Sequence, residues 1–310
     1  LLQNRMETGE PYLMFEDAVQ SDLPDFQKKK GLRVNHSNLC SEITLATNEE
    51  RTAVCCLSSV NLEYFDEWSK VPAFIPDLVR FLDNVLTYFI ENAPNELERA
   101  KYSASRERSI GLGAMGFHAY LQKNSLPFEG MWASAKNMLM FKHIKEQAQK
   151  ETQKLATERG ACPDDDSCTV RNAHLLAIAP NASSSIICGN TSPSIEPFRA
   201  NAYTQKTKSG SHLQKNKYLE KVLEKYNRND DSTWKSIVTN KGSCQHLEFL
   251  TAEEKEVFKT AVEINQSWVV EHAAARQEFI CQSQSVNLFF PPDVNKGELH
   301  NIHMLAWAKN

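Results

Sequence analysis

The sequence predicts an α/β fold with mostly parallel strands, and three observations support this. Short apolar segments that suit buried strands alternate with longer segments of helical periodicity. The chain of 310 residues is long enough to bury a large core, and it contains no internal repeat. Helices between successive strands are the connections that a parallel sheet requires.

The individual elements follow from local patterns. The polar, irregular residues 17–37 predict a loop. Apolar, β-prone runs next to turn residues predict strands at 53–57, 109–113, 174–179 and 284–290. Apolar residues at helical spacing predict helices near 78–89, 133–159, 252–276 and from 298 onward. The polar and charged residues 211–243 predict surface helices.

Two of these helices have a predicted buried face. In the first, the apolar residues at helical spacing are Leu78, Phe81, Leu82, Val85 and Phe89. In the second, the corresponding residues are Met140, Phe141, Ile144, Ala148 and Leu155. Pro94 closes the first helix, and Gly160 is a suitable end for the second.

Composition and charge argue against several classes of function. A net charge of -4 and a pI of about 6.2 do not suit bulk electrostatic binding to nucleic acid. No apolar run approaches the roughly 20 residues that cross a bilayer, and no signal peptide opens the chain. Eight cysteines in a chain of this length predict reduced thiols in the cytoplasm rather than a secreted disulfide scaffold.

The most informative segment is residues 38–42. In an extended chain alternate side chains point to the same face, so Asn38, Cys40 and Glu42 would form one row. An amide, a thiol and a carboxylate in one row supply a hydrogen-bond donor, a sulfur reagent and a proton acceptor. Cys55 follows fifteen residues after Cys40 and is a second candidate sulfur.

The other cysteines show no recognisable chemistry. No CxxC pair and no Cys/His spacing suggests a zinc site, and adjacent Cys55 and Cys56 do not easily bridge to each other. Five thiols have no carboxylate or amide arranged around them and are predicted to be small buried hydrophobes: Cys162, Cys168, Cys188, Cys244 and Cys281.

A glycine motif has two interpretations. Gly111, Gly113 and Gly116 have the spacing of a dinucleotide-binding loop and follow a predicted strand. That loop also needs an acidic residue at the end of a second strand, and the nearest candidate, Glu129, lies in a predicted loop. Close packing between strand and helix is therefore the favoured explanation.

The turn after the strand at 174–179 is a candidate anion site. A helix that begins there would offer free backbone N–H groups and three hydroxyls to an anion, although ordinary helix capping explains the same pattern. Its position at the carboxyl end of a strand favours phosphate. The residues of this turn are Asn181, Ala182, Ser183, Ser184 and Ser185.

Six blocks of sequence, in order, resemble the large catalytic subunit of class I ribonucleotide reductase. They are Asn38–Glu42, Ala53–Ser58, Ile110–Gly113, Ala179–Ser184, Ser194–Pro197 and Gln282–Asn287. The resemblance covers nearly the whole chain and implies an α/β barrel of ten strands in two halves. Residues 1–37 would be the lead-in, and residues 38–310 the radical-cysteine finger loop and the second five-stranded half.

The resemblance also implies a role for each candidate residue. Cys40 matches the cysteine that becomes a thiyl radical and removes the 3′ hydrogen of a ribonucleoside diphosphate. Glu42 would take the proton of the 3′-hydroxyl group, and Asn38 would hold the ribose hydroxyls. Cys55 matches one of two cysteines that reduce the substrate and end as a disulfide. Further substrate contacts are implied for Leu39, Ser41 and the diphosphate-binding turn 181–185.

Several parts of that family would lie outside this sequence. The second reducing cysteine and the regions that bind ATP and deoxynucleotide effectors would precede Leu1. The radical would come from a metal-containing small subunit and the electrons from thioredoxin or glutaredoxin, so we expect no metal or cofactor on this chain. We expect the chain to be inactive alone and to associate with an N-terminal half, because a half barrel exposes a sheet edge.

Three alternatives stay open. A glycyl-radical or anaerobic enzyme uses the same barrel, but no glycyl-radical motif is visible in the sequence. A non-catalytic assembly fragment of a reductase is the second, and the intact residues Asn38, Cys40, Glu42 and Cys55 argue against it. An NAD-dependent enzyme is the third, and the missing acidic strand end argues against that.

Overall fold

Helices make up most of the regular secondary structure. The structure is a computed structural model that describes residues 1–208 and 210–309. Within these ranges the α-helices, numbered α1 to α14, are Leu2–Thr8, Glu16–Ser21, Asp25–Lys29, Phe65–Trp68, Phe74–Asn92, Glu98–Glu107, Phe117–Lys123, Met131–Arg159, Ala182–Ile187, Lys217–Lys225, Asp231–Thr239, Ala252–Val257, Gln266–Gln277 and Lys296–Ala308. Helices α2 and α3 fall largely in the predicted loop 17–37, which corrects that prediction. None of the described helices combines the length and the apolar character needed to cross a membrane.

The sheet consists of parallel extended segments joined by helices. Strand β1 (Leu57–Asn61) pairs in parallel with β2 (Gly111–Met115). Two residues of the predicted third strand continue the arrangement, since Leu176 bridges β2 and Ile178 bridges Gln284, both in parallel. The order of the segments across the sheet therefore follows their order along the chain. This confirms the predicted α/β class.

All four predicted strands differ from the structure in their extent. Strand β2 is Gly111–Met115 rather than 109–113, and within the described segment 174–179 only Leu176 and Ile178 form bridges. The strand predicted at 53–57 is shifted, because the ladder begins where the Gly111 N–H donates to the Cys56 carbonyl oxygen (2.9 Å). The strand predicted at 284–290 is largely irregular, and only Gln284 forms a bridge. The alternating sequence predicted a strand here, but among the described residues 285–290 none forms a bridge with a neighbouring segment.

The glycine motif brings backbones close together. A Cβ atom added to Gly113 would lie 2.6 Å from the Ala177 carbonyl oxygen, and one added to Gly111 would lie 3.0 Å from the Ala177 Cβ. Gly116 has a φ of +83° and precedes helix α7, a conformation that L side chains rarely adopt. The packing explanation is therefore confirmed, although at Gly111 and Gly113 the contact is with the neighbouring extended segment rather than with a helix.

The main core packs α5 and α8 against the sheet. All five residues predicted to share a face of α8 are buried, which confirms that prediction. In α5 the prediction was right for Leu82, which is buried, and for Leu78 and Phe89, which pack against the core. It was wrong for Phe81 and Val85, which are 58% and 41% exposed. Apolar residues cover more than one side of α5, so periodicity alone did not identify the inner side. The apolar residues buried on α5 are Ile75, Val79, Leu82 and Leu86.

A hairpin occupies part of the region predicted as surface helices. Strands β3 (Ala202–Thr207) and β4 (Gly210–Lys215) pair in antiparallel fashion, and α10 and α11 follow. Residues 211–215 were therefore assigned wrongly, because their mostly exposed, polar side chains give no apolar alternation. Helices α10 and α11 are also more buried than predicted. They supply the second core cluster with Leu219, Leu223, Trp234 and Ile237.

The helix predicted at 252–276 is two helices, α12 and α13. Between them the Glu263 carboxylate accepts a hydrogen bond from the Thr260 N–H (2.8 Å). The Asn265 side chain caps α13 by accepting from the Ser267 N–H (3.0 Å). These local bonds offer the backbone an alternative to a continuous helix.

We predict that Gly113→Ala destabilises the fold by about 1–3 kcal/mol, because the new methyl group would collide with the Ala177 carbonyl oxygen. The measurement is the free energy of unfolding in urea. Gly297→Ala, in the first turn of α14, is the control and should change that free energy by less than about 1 kcal/mol. Equal effects of the two substitutions would contradict the close approach.

Candidate active site

Residues 38–42 form a turn, which corrects the expected extended row. The Ser41 N–H donates to the Asn38 carbonyl oxygen (3.0 Å), and Ser41 has a φ of +65°. The Asn38 side chain closes the turn, because its Oδ1 accepts a hydrogen bond from the Ile43 N–H (3.1 Å). Asparagine and serine favour such turns through local hydrogen bonds, and this preference outweighs alternation here. We call residues 38–42 the catalytic turn.

The catalytic turn still brings Cys40, Glu42 and Cys55 together. Loss of hydration, followed by the Glu42 carboxylate, raises the pKa of the Cys40 thiol above its usual value. Partial burial raises the pKa of the Cys55 thiol as well, with further contributions from Glu42 and Cys40. A charge affects a titrating group over a range of several ångströms, so these shifts place the three groups in one region of the site, in which Cys40 lines a cavity and Glu42 and Cys55 lie behind it. Both sulfurs are therefore protonated thiols at neutral pH, the form that can donate a hydrogen atom.

Glu42 is buried with one oxygen unpaired. The residue is 2% exposed, and its Oε2 has no hydrogen-bond partner among the described residues. Its carbonyl oxygen accepts from the Ser283 N–H (3.0 Å), and the following residues Ile43 and Leu45 pack against Ala177. A buried acceptor without a donor costs about 1–3 kcal/mol. The main chain of Glu42 is thus held in place, and its carboxylate is free to accept a proton or a hydroxyl hydrogen.

A cavity of about 660 Å³ opens beside the catalytic turn. Its wall includes Leu39, Cys40 and Ser41, so the structure places both predicted contact residues next to the predicted radical cysteine. Pro180 and Gln282 also line it, together with residues of the lead-in and of α13 and α14. The volume suits a small-molecule ligand.

The predicted phosphate turn begins at the rim of this cavity, immediately after Pro180. The Asn181 side chain points back to the sheet, where its Nδ2 donates to Ser59 Oγ (3.0 Å) and to the Ala179 carbonyl oxygen (3.1 Å). Asn181 therefore shapes the turn and leaves the first N–H groups of α9 without a side-chain cap.

The hydroxyls of that turn are not equivalent. Ser183 and Ser184 are exposed, as is Ala182, whereas Ser185 is buried. The Ser185 hydroxyl donates to the Ala182 carbonyl oxygen (3.0 Å), so its hydrogen is used within the turn. Two hydroxyls, rather than the three expected, are open to a ligand.

Two blocks of the resemblance meet in a contact that the sequence did not predict. The Asn287 Nδ2 donates to Glu196 Oε1, and Asn287 lines the cavity. Burial raises the pKa of the Glu196 carboxyl group, while Asn287 and Arg199 oppose that shift. The only signal in the sequence was the presence of both residues in blocks that resemble the reductase family.

The eight cysteines are all described, and all are free thiols. Cys162 and Cys244 are buried, which confirms their prediction as small hydrophobes. Cys281 is only partly buried, and Cys168 and Cys188 are exposed, so the prediction was wrong for the last two. Cys168 and Cys188 lie in irregular segments between helices, where composition indicates little about burial. Cys55 is the third exposed cysteine.

Comparison with known proteins covers the whole chain. Residues 1–167 and 166–310 match the family described as "Ribonucleotide reductase, barrel domain". The chain is 50% identical over 310 residues to the ribonucleoside-diphosphate reductase large subunit of Invertebrate iridescent virus 3, with 99% of this chain and 49% of that protein covered. It is 51% identical over 272 residues to the large subunit of Invertebrate iridescent virus 6, with 86% and 28% covered.

A solved structure is similar as well. The Actinobacillus ureae class Id ribonucleotide reductase alpha subunit superposes with a TM-score of 0.94 and 43% identity, over 100% of this chain and 58% of that one. The chain spans about half the length of the virus 3 relative and somewhat more of the bacterial subunit. With a match over its full length, the chain belongs to the ribonucleotide reductase barrel-domain family.

Proposed function

We propose that this chain provides the radical cysteine, the base and one reducing cysteine for the conversion of ribonucleoside diphosphates to 2′-deoxyribonucleoside diphosphates. The observation that carries the proposal is the convergence of Cys40, Glu42 and Cys55 in a chain of the reductase family, with Cys40 on the wall of a cavity. A neutral thiol, a carboxylate with a free oxygen and a second neutral thiol are the groups that this reaction needs.

The chemistry of this chain begins at Cys40. A small subunit, when bound, supplies the oxidising equivalent that turns the Cys40 thiol into a thiyl radical. Cys40 then takes the 3′ hydrogen atom of the ribose, and Glu42 Oε2 accepts the proton of the 3′-hydroxyl group. The 2′-hydroxyl group leaves as water, and one of the two reducing thiols supplies the proton that the leaving group needs.

Replacement of the 2′-hydroxyl group by hydrogen needs two electrons and two protons in total, and one of these protons leaves in the water. Cys55 and a second cysteine outside this sequence provide them and become a disulfide. Cys40 returns its hydrogen atom to the 3′ position, and Glu42 returns its proton to the 3′ oxygen. One ribonucleotide and two thiols thus yield one deoxyribonucleotide, one disulfide and one water.

The substrate would lie between the catalytic turn and the start of α9. The exposed hydroxyls of Ser183 and Ser184, with the uncapped N–H groups of α9, suit the diphosphate. The Asn38 Oδ1 is engaged within the turn, so we assign the amide NH₂ of Asn38 to the ribose hydroxyls. Leu39 and Ser41 supply the neighbouring wall.

The chain would work as part of a larger complex in the cytoplasm. It covers about half of its virus 3 relative, which supports an N-terminal half as the partner that completes the barrel and binds ATP and deoxynucleotide effectors. The radical-generating small subunit and thioredoxin or glutaredoxin are the other proposed partners. Eight free thiols suit a reducing compartment.

We predict that Cys40→Ala abolishes formation of deoxynucleotide, because Cys40 is the one thiol among the described residues that lines the cavity. The chain would be co-expressed with the proposed N-terminal half, supplied with the small subunit, and assayed with a ribonucleoside diphosphate. Cys168→Ser, at an exposed thiol that does not line the cavity, should retain full turnover. Turnover that survives Cys40→Ala would reject the mechanism, and no turnover in an intact parent complex would favour a non-catalytic fragment.

We predict that Cys55 enters a disulfide in step with product. In a single turnover without thioredoxin, peptide mapping should find one disulfide that contains Cys55 for each deoxynucleotide formed. Cys55→Ser should prevent both products. Cys56→Ala is the matched control, since Cys56 is adjacent but buried in the core, and it should leave the ratio unchanged. A disulfide through Cys56 instead would contradict the assignment.

A further inference from the structure

Residues 282–285 connect the sheet to the catalytic turn. On one side the Ile178 N–H donates to the Ser283 carbonyl oxygen (3.1 Å), and the Ser285 N–H donates to the Ile178 carbonyl oxygen (2.8 Å). On the other side the Ser283 N–H donates to the Glu42 carbonyl oxygen (3.0 Å). The main chain of Glu42 is thus joined to this segment by one hydrogen bond.

The side chain of Gln282 anchors this segment. It is 2% exposed, and its Nε2 donates to the Ile110 carbonyl oxygen (3.0 Å) at the start of β2. Its own carbonyl oxygen accepts from the Gln277 Nε2 (2.9 Å) on α13. Gln282 is therefore held to two separate elements, and its neighbour Ser283 carries the bond to Glu42.

Two buried oxygen atoms in this region are unpaired. Neither Gln282 Oε1 nor Glu42 Oε2 has a hydrogen-bond partner among the described residues, and Gln282 lines the cavity. A protein whose core only required packing would gain from apolar side chains at both positions. A buried glutamine one residue from the Ser283 N–H that bonds the Glu42 main chain points to a role connected with the placement of Glu42.

We propose that Gln282 is a positioning residue for Glu42. By anchoring the segment that bonds the Glu42 main chain, Gln282 holds the carboxylate beside Cys40. The inference rests on the proposed function for the role of Glu42 as base, but the geometry itself can be tested without turnover. Gln282 acts through Glu42 and is not assigned a contact with the substrate.

The Cys40 thiol reports on the position of Glu42. The Glu42 carboxylate contributes to the raised pKa of Cys40, after the effect of lost hydration. The thiolate is the form that alkylating reagents attack, so a lower pKa gives faster alkylation at a given pH. If Gln282→Ala releases Glu42, the pKa of Cys40 should fall, as it should when Glu42→Gln removes the charge.

The experiment measures the alkylation rate of Cys40 by iodoacetamide between pH 7 and 10, resolved by peptide mass spectrometry on the full chain. We expect Gln282→Ala to lower the pKa of Cys40 by about half a unit, which is roughly a threefold faster reaction at pH 8. Gln122→Ala is the matched control and should have no effect. Gln122 is also buried and donates to a backbone oxygen, that of Val257 (3.3 Å), but it does not line the cavity.

A double variant distinguishes the positioning of Glu42 by Gln282 from a direct effect of added water on the pKa of Cys40. With Glu42→Gln already present, adding Gln282→Ala should not change the pKa of Cys40 further if Gln282 acts through Glu42. The proposal would be overturned if Gln282→Ala lowered the pKa of Cys40 equally in the parent chain and in Glu42→Gln. It would also be overturned if Gln282→Ala alone left that pKa unchanged. If Gln282→Ala loses the circular dichroism spectrum of the parent, Gln282→Asn replaces it under the same criteria, because the shorter amide does not reach Ile110. A complex that fails to form deoxynucleotide would reject the proposed function and leave this result standing.

Discussion

The close approach of β2 to the extended segment at Ala177 is the constraint on which the rest of the site depends. Gly113 leaves room for the Ala177 carbonyl oxygen, which a side chain would displace. Because the two backbones meet there, Ile178 is placed to pair with residues 282–285, and the chain then passes Pro180 to the rim of the cavity. The predicted phosphate turn lies at the carboxyl end of the third segment, where parallel sheets place their ligands.

The catalytic turn is a separate piece held on this sheet by a small number of contacts. Ile43 and Leu45 are buried against Ala177, and a single main-chain hydrogen bond links Glu42 to Ser283. These contacts offset the cost of leaving one carboxylate oxygen buried and unpaired. An unpaired acceptor lowers the stability of the fold. It also leaves a hydrogen-bonding position open, and a bound substrate can supply the missing donor.

Buried ion pairs connect the helices that pack behind the site. Asp83 of α5 is fully buried and accepts hydrogen bonds from Arg108 (2.9 Å), Arg159 (3.1 Å) and Arg171 (3.3 Å). These arginines follow α6, end α8 and precede the third extended segment. A buried ion pair adds little net stability, but loss of Asp83 would leave three cations facing one another. We infer that this cluster fixes the relative placement of the helices on which the sheet rests.

The sequence by itself determined the α/β class, the buried face of α8 and the chemical groups Cys40, Glu42 and Cys55. Periodicity and side-chain chemistry are local properties, and these features follow from them. Only the tertiary structure decided that residues 38–42 form a turn, that β3 pairs with β4 and that Gln282 supports the candidate base. Those features depend on which distant backbone groups meet, as Glu42 meets Ser283, and hydrophobic patterns do not encode such pairings in irregular, polar segments.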